Sequence, residues 1–541
     1  GGDGLAFVIN GKVDGNARGD AATQVMLGLV SAVLHPNPRT AMVIGLGTGS
    51  SAGWLAEIPS IERVDVAELE PDILEVARRC APVNRNVLDN PKVNVIIADG
   101  REVLLTAKDQ YDLIVSEPSN PYRAGIASLY TLEFYQAVAR CLAPGGMFSQ
   151  WVQAYEVDTR TIRTIYATLS AVFPVVETWQ TMTNDMLLVC SMKPRSPVAS
   201  DLRRRLAEPP FREVFPAVWG TTDLEGFLSR FVAGPGLTRT AAAQDLAKGW
   251  LNTDDWMLVE FGFAQTVGRL KAFSLSDLEK AARKLDQHRP AVQGEVDWDR
   301  VDENRIIMYG MDRKPPHDMP WFSKDRRHRV EAYEHFLKGE YKKVLDAWAM
   351  QPRRPEYPLE QAMLADALAE TGDPEALDLI EGLRVHWPAD ADAILARYHF
   401  RGGRVGEAVE ALKKAFLRNR RDPWCNQLIM FQAIRLAKEM AGRNKKLAPE
   451  LFDLLTEPLA VSILDEHRLR TLLEIASLID KAHTISALDR LEPHVPWDKV
   501  FLTRRAAVYQ AAGDPRAAGA LADLDAFLRD APVLISESLA E

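Results

Sequence analysis

The chain has 541 residues, with 65 Lys and Arg against 75 Asp and Glu and a net charge of −10. This lack of positive charge excludes a general nucleic-acid binder, which needs a dominant basic field. A composition of 47% hydrophobic and 26% charged residues excludes wholesale disorder, and units of about 150 residues would make three or four domains. Cys80, Cys141, Cys190 and Cys425 stand far apart without a CxxC pair, so buried thiols in a reducing compartment are expected, and no metal. No run approaches the roughly 20 apolar residues of a bilayer span. The chain opens on Gly1-Gly2, which reads as a start processed or cut from something longer. The expected location is cytoplasmic, with a membrane tether outside this chain left open.

In chain order, Gln24 to Leu34 reads as a core helix before the first strand. Ala41–Gly45, Val64–Glu68, Val93–Ala98, Tyr111–Ser116 and Gly146–Val152 read as strands, apolar throughout. Between them Ser50–Glu57, Pro71–Ala81, Arg101–Thr106 and Leu129–Leu142 read as helices, which implies a parallel sheet covered on both faces. A helix at Thr159–Leu169 and two further strands, Val175–Trp179 and Met186–Ser191, close the sheet with a hairpin. The expected fold of residues 1–195 is therefore α/β, a Rossmann-like, doubly wound sheet of the class I methyltransferase type. Residues 196–325 read as a mostly helical connecting region, with breaks at Lys193–Pro197 and Lys314–His317 and an end near Trp321. Residues 326–541 read as paired amphipathic helices. Gly339, Gly372 and Gly403 lie 33 and 31 residues apart, and Gly513 sits in a similar setting. That spacing is near the ~34-residue period of tetratricopeptide repeats, so an irregular all-α repeat domain is expected, with a concave surface open to a protein or peptide partner.

The first strand runs into "AMVIGLGTGSS", where Gly45, Gly47 and Gly49 allow a sharp turn and close approach to a ligand at a helix N-terminus. Alone this pattern also suits any tight α/β turn. Its context narrows the reading. Glu68 ends the second strand about 20 residues on, where an acid can accept from both ribose hydroxyls. Asp99 and Gly100 follow the third strand, where a carboxylate can bind an adenine amino group. Three such positions at successive strand ends, without a Walker lysine, indicate a site for an adenosine nucleoside with sulfonium chemistry.

The segment "YDLIVSEPSNPYRAGIASLYTLEFYQAVARCLAPGGMFSQW" (Tyr111–Trp151) resembles the spermidine synthase family, with Glu117–Pro121, Leu129-Tyr130 and Phe134-Tyr135 as matching pieces. "VINGKVDGNARGDAATQ" (Val8–Gln24) is similar to that family's N-terminal hairpin. The resemblance covers roughly residues 5–190. It implies aminopropyl transfer from decarboxylated S-adenosylmethionine to a small amine or polyamine, with Glu68 on the ribose, Asp99 on the adenine and Glu117 as general base. A carboxylate suits that role because the only histidine before residue 195 is His35, ahead of the first strand. Asp14, Gln24, Asn120 and Tyr122 are the implied acceptor-binding residues.

Three positions depart from the family pattern: Thr48 replaces the aspartate of the glycine turn, Asn120 replaces the second loop aspartate, and Asp14 replaces the hairpin glutamine. Thr48 supplies no counter-charge for the cosubstrate's amine, which keeps intact S-adenosylmethionine and a methyltransferase in play. A degenerate scaffold acting through its repeats is the third reading. The same pattern, with "LNTDDWMLVEF" (Leu251–Phe261), resembles a bacterial spermidine synthase-like subgroup and offers Asp254 and Asp255 as further amine ligands. That segment reads first as an Asn-Thr-Asp helix cap before an apolar run. Residues 401–447 carry 12 Lys or Arg against 4 Asp or Glu, which suits a solvated helix face or an anionic partner. A homo-oligomer is also left open.

Overall fold

The computed structural model describes residues 4–9, 11–269, 273–314 and 324–530. The break expected at Lys314–His317 and the end near Trp321 lie, apart from Lys314, outside the described residues. A short antiparallel hairpin comes first, β1 (Ala6–Ile9) and β2 (Lys12–Asn16), followed by the helix α1 (Ala21–Leu34).

The main sheet is built from β3 (Thr40–Ile44), β4 (Arg63–Glu68), β5 (Val93–Ile97), β6 (Tyr111–Ser116), β7 (Leu142–Gln153), β8 (Val175–Met182), β9 (Asp185–Ser191) and β10 (Phe231–Ala233). Its order is β10-β8-β9-β7-β6-β3-β4-β5. The strands β7, β6, β3, β4 and β5 run parallel, while β9, β8 and β10 are joined antiparallel. The strands expected from apolar runs are all present. The edge strand β10 is an addition, because three residues carry too short an alternation to be recognised.

Apolar side chains alternate between the two faces, as a sheet covered on both sides requires. Val43, Val64, Val66, Leu113 and Val115 meet α1 and the helix α2 (Ser50–Ala56) on one face. Met42, Ile44, Ile114 and Phe148 meet the helices Leu132–Cys141 and Thr159–Ser170 on the other. The stretch between Ala199 and Ala282 feeds both cores, with Leu202, Phe215 and Phe227 on the first face and Val259, Phe263 and Ala282 on the second.

From Lys324 to Asp530 the described chain is helical, and one apolar core runs through it from Ile307 to Ala520. Gly339, Gly372, Gly403 and Gly513 sit in the turns between consecutive helices at φ of +69°, +73°, +75° and +64°. At each, the left-handed backbone ends one helix and starts its partner, which is why glycine recurs there. No helix among the described residues is long and apolar enough to cross a membrane.

Candidate active site

The parallel strands end together along one edge of the sheet, and β3 and β6 are neighbours whose connections leave in opposite directions. Ligands of open α/β sheets bind at that switch point. Gly45, Gly47 and Gly49 follow β3 with φ of +93°, +50° and +81°, conformations that favour glycine strongly. A Cβ on Gly45 would lie 2.9 Å from the carbonyl oxygen of Glu117, so the turn and the end of β6 touch backbone to backbone. Gly49 begins α2 and presents that helix's N-terminus to the cleft.

Glu68 is buried at the end of β4, where its carboxylate accepts from the amides of Leu46 at 2.8 Å and Glu70 at 2.9 Å. Those amides fix it beside the glycine turn and leave lone pairs for a diol. Leu69 and Ile97, at the ends of neighbouring strands, are 64% and 45% exposed, an apolar rim of the kind that takes the face of a base. Asp99 is exposed next to them and caps the helix Gly100–Thr106 by accepting from Arg101 N–H at 2.8 Å. A Cβ on Gly100 would fall 2.6 Å from the side chain of Ile44, so that helix approaches the sheet closely. Glu68, Asp99 and the apolar rim thus form one shelf at the strand ends.

Glu117 stands just beyond β6. Ser51 of α2 donates to its Oε2 at 2.8 Å, and the same hydroxyl lies 2.5 Å from the carbonyl oxygen of Gln24. Burial pushes the Glu117 carboxyl up to about 7; the Ser51 hydrogen bond opposes that rise, and the nearby Asp20 and Asp185 add to it. Asp185, at the start of β9, is itself raised to about 6 by burial, against a hydrogen bond from Thr23 at 2.7 Å. Thr23 also meets Thr181 at 2.9 Å. Asp20, just before α1, and Asp185, at the start of β9, thus lie near enough to Glu117 for their charges to act on it. Asp20, Asp185 and Ser51 were not singled out in the sequence, because only the tertiary fold brings them beside Glu117.

The remaining expected residues are placed as follows. Thr48 is buried, and its hydroxyl donates to Gln24 Oε1 at 2.6 Å and lies 3.0 Å from Ser50 Oγ. Gln24 thus serves the glycine turn. Asp14 of the hairpin accepts from Ser119 and pairs with Arg123 at 3.0 Å, which pins β2 to the loop after Glu117. Asn120 is buried between Gln153 and the Tyr155 hydroxyl, the latter 3.2 Å away. Tyr122 packs against the core of the second face. Asp254 pairs with Arg101, which holds its carboxyl below the usual range, so it sits toward the Asp99 end of the cleft. Asp255 is exposed. The Asn252–Asp254 stretch is not the helix cap: the helix Leu258–Ala264 begins after Met257, which makes no side-chain cap bond, while Asn252, six residues before that helix, accepts from Val259 N–H through Oδ1 at 3.0 Å.

Parallel sheet, glycine turn and sheet order together define a Rossmann-like domain of the methyltransferase fold. Residues 20–190 match the family model described as the spermine/spermidine synthase domain, in line with the loop motif at Glu117–Pro121, while the hairpin lies before the matched residues. A polyamine aminopropyltransferase of Nitrosomonas europaea is 38% identical over 146 residues, which are 27% of this chain and 45% of that protein. A spermidine synthase of Dictyostelium discoideum is 27% identical over 174 residues, 32% of this chain and 61% of that one. The chain spans about half the length of such relatives, and the helical region lies outside the match. The crystal structure of Thermotoga maritima spermidine synthase aligns with 25% identity and a TM-score of 0.32, over 35% of this chain and 66% of that one.

Proposed function

We propose that the chain is a transferase that moves an aminopropyl group from decarboxylated S-adenosylmethionine to a small amine, with Glu117 as general base. The observation that carries this reading is Glu117 itself: a carboxyl raised to about 7, beside the glycine turn, with Asp20 and Asp185 near enough for their charges to act on it. In the step, the lone pair of a neutral amine attacks the methylene carbon next to the sulfonium. The carbon–sulfur bond breaks, its electron pair stays on sulfur, and methylthioadenosine leaves. The new ammonium gives its proton to Glu117. The carboxylates of Asp20 and Asp185 stabilise a cationic acceptor before and after transfer. Glu68, Asp99, Leu69 and Ile97 hold the nucleoside, and the glycine turn lets the sulfonium end approach α2.

One observation favours a second reading, methyl transfer from intact S-adenosylmethionine. The Thr48 hydroxyl is spent on Gln24, so the turn offers no negative charge to the amine of the decarboxylated form. Calorimetric titration with each form separates the two. Tighter binding of the decarboxylated form supports aminopropyl transfer, and tighter binding of the intact form supports methyl transfer.

A further inference from the structure

The acceptor end of the cleft is shaped by two small elements with little support of their own. One is the β1–β2 hairpin, of four and five residues, and an isolated two-stranded hairpin is at best marginally stable in water. The other is the tight turn from β8 to β9, which leads into Asp185. The hairpin reaches the site directly. Its Phe7 ring lies 3.9 Å from where a Cβ of Gly47 would stand, and its Asp14 is tied to Ser119 and Arg123.

Both elements are fastened from beyond residue 190. Leu5 N–H donates to the Val461 carbonyl at 2.7 Å, and Ala17 N–H closes the hairpin by donating to Leu5 O at 2.8 Å. Val461 holds φ +48° there, with Ser462 and Leu464 also left-handed, so this loop of the helical region keeps an unfavourable backbone at the joint. Ala17, Cys80, Val83 and Val461 form a separate apolar cluster around it. Arg18 lies two residues before Asp20. It donates to Pro423 O at 3.1 Å and stacks its guanidinium 5.4 Å above the Trp424 ring. Trp424 in turn meets Trp54 of α2 at 6.2 Å. At the second element, Thr183 N–H donates to Asp312 Oδ2 at 2.6 Å, two residues from Asp185.

We infer that the chain beyond residue 190 completes the acceptor side of the active site, the helical region holding the hairpin through Val461 and Trp424 and the connecting region holding the Asp185 turn through Asp312. Arg18, Trp424 and Asp312 are positioning residues: they act through Asp14, Asp20 and Asp185. On the nucleoside shelf Glu68 and Asp99 accept from the amides of Leu46, Glu70 and Arg101, all within the sheet domain, and the Arg101 side chain pairs with Asp254 and not with the helical array, so the two halves of the cleft are expected to separate experimentally. The inference rests on the proposed reading only for its kinetic arm.

The test uses the full chain with Gly4→Ala, Trp424→Ala and the milder Trp424→Phe. A Cβ on Gly4 would stand 2.4 Å from Val461 O and 3.2 Å from Ile463 N at φ +85°, so Gly4→Ala breaks the joint without removing any core side chain. Hydrogen exchange at residues 5–17 should accelerate in Gly4→Ala and Trp424→Ala, with Trp424→Phe close to the parent. The acceptor KM should rise about tenfold or more while the nucleoside dissociation constant stays within about twofold. Unchanged protection of the hairpin in both alanine variants overturns the inference, as does an equal loss of nucleoside and acceptor binding. Failure of the functional reading looks different: the parent chain would not turn over decarboxylated S-adenosylmethionine, and hairpin exchange would still respond to Gly4→Ala.

Discussion

A base that receives a proton from a newly formed ammonium works best when its own proton affinity lies near the working pH. Burial brings the Glu117 carboxyl to that range, at about 7. Turnover should therefore climb as pH rises through 7 and level off above it, as a pH–rate profile of kcat/KM would record. Glu117→Gln should lower kcat by about 10²- to 10⁴-fold, the usual share of a general base. It should leave nucleoside affinity unchanged. The same residue predicts an opposite trend in stability. Its folded-state affinity for the proton exceeds the ordinary value of 4.5, so its contribution is full below that pH and is lost as pH rises through about 7. Denaturant midpoints should then favour Glu117→Gln over the parent more at pH 8 than at pH 4. Glu68→Ala removes the acceptor of two amides as well as the proposed ribose ligand, and titration should show nucleoside binding weakened by about 1–3 kcal/mol.

At the scale of elements, β3 and its turn matter through a contact that side chains cannot make. Gly45→Ala would set a Cβ 2.9 Å from the Glu117 carbonyl at φ +93°, straining the turn and shifting Glu117 together. It should cost more than about 1 kcal/mol by urea titration and reduce turnover beyond what the remaining folded fraction explains. Glycines, apolar strands and strand-end acids were legible in the sequence because each is a local pattern of period or spacing. Glu117 was legible through the loop around it. Asp185 was not, since nothing near "TNDMLLV" marks it; its role appears only when β9 lies beside β7 and Thr23 of α1 meets it. Asp254 illustrates the converse. Its sequence suggested an amine ligand, while the fold gives it Arg101 as partner, a pairing across 153 positions that no local pattern encodes.

Across the molecule, the sequence divided the chain into a sheet domain and paired helices, and the glycine turns of the helical part fell where their spacing put them. What it did not disclose was the joint between these parts. Arg18 and Trp424 are 406 positions apart, and although Arg18 stands within the hairpin segment Val8–Gln24, nothing local pairs it with Trp424; together they tie the start of α1 to the helical array. The same joint carries the mechanical dependence of the hairpin on Val461. The central claim concerns the bond that breaks. The most direct measurement incubates the full chain with a short diamine and each cosubstrate, and identifies the nucleoside product by mass spectrometry. The account predicts methylthioadenosine and an aminopropylated amine from the decarboxylated form, both lost in Glu117→Gln. Formation of S-adenosylhomocysteine and a methylated amine from the intact form, with no product from the decarboxylated one, would contradict it.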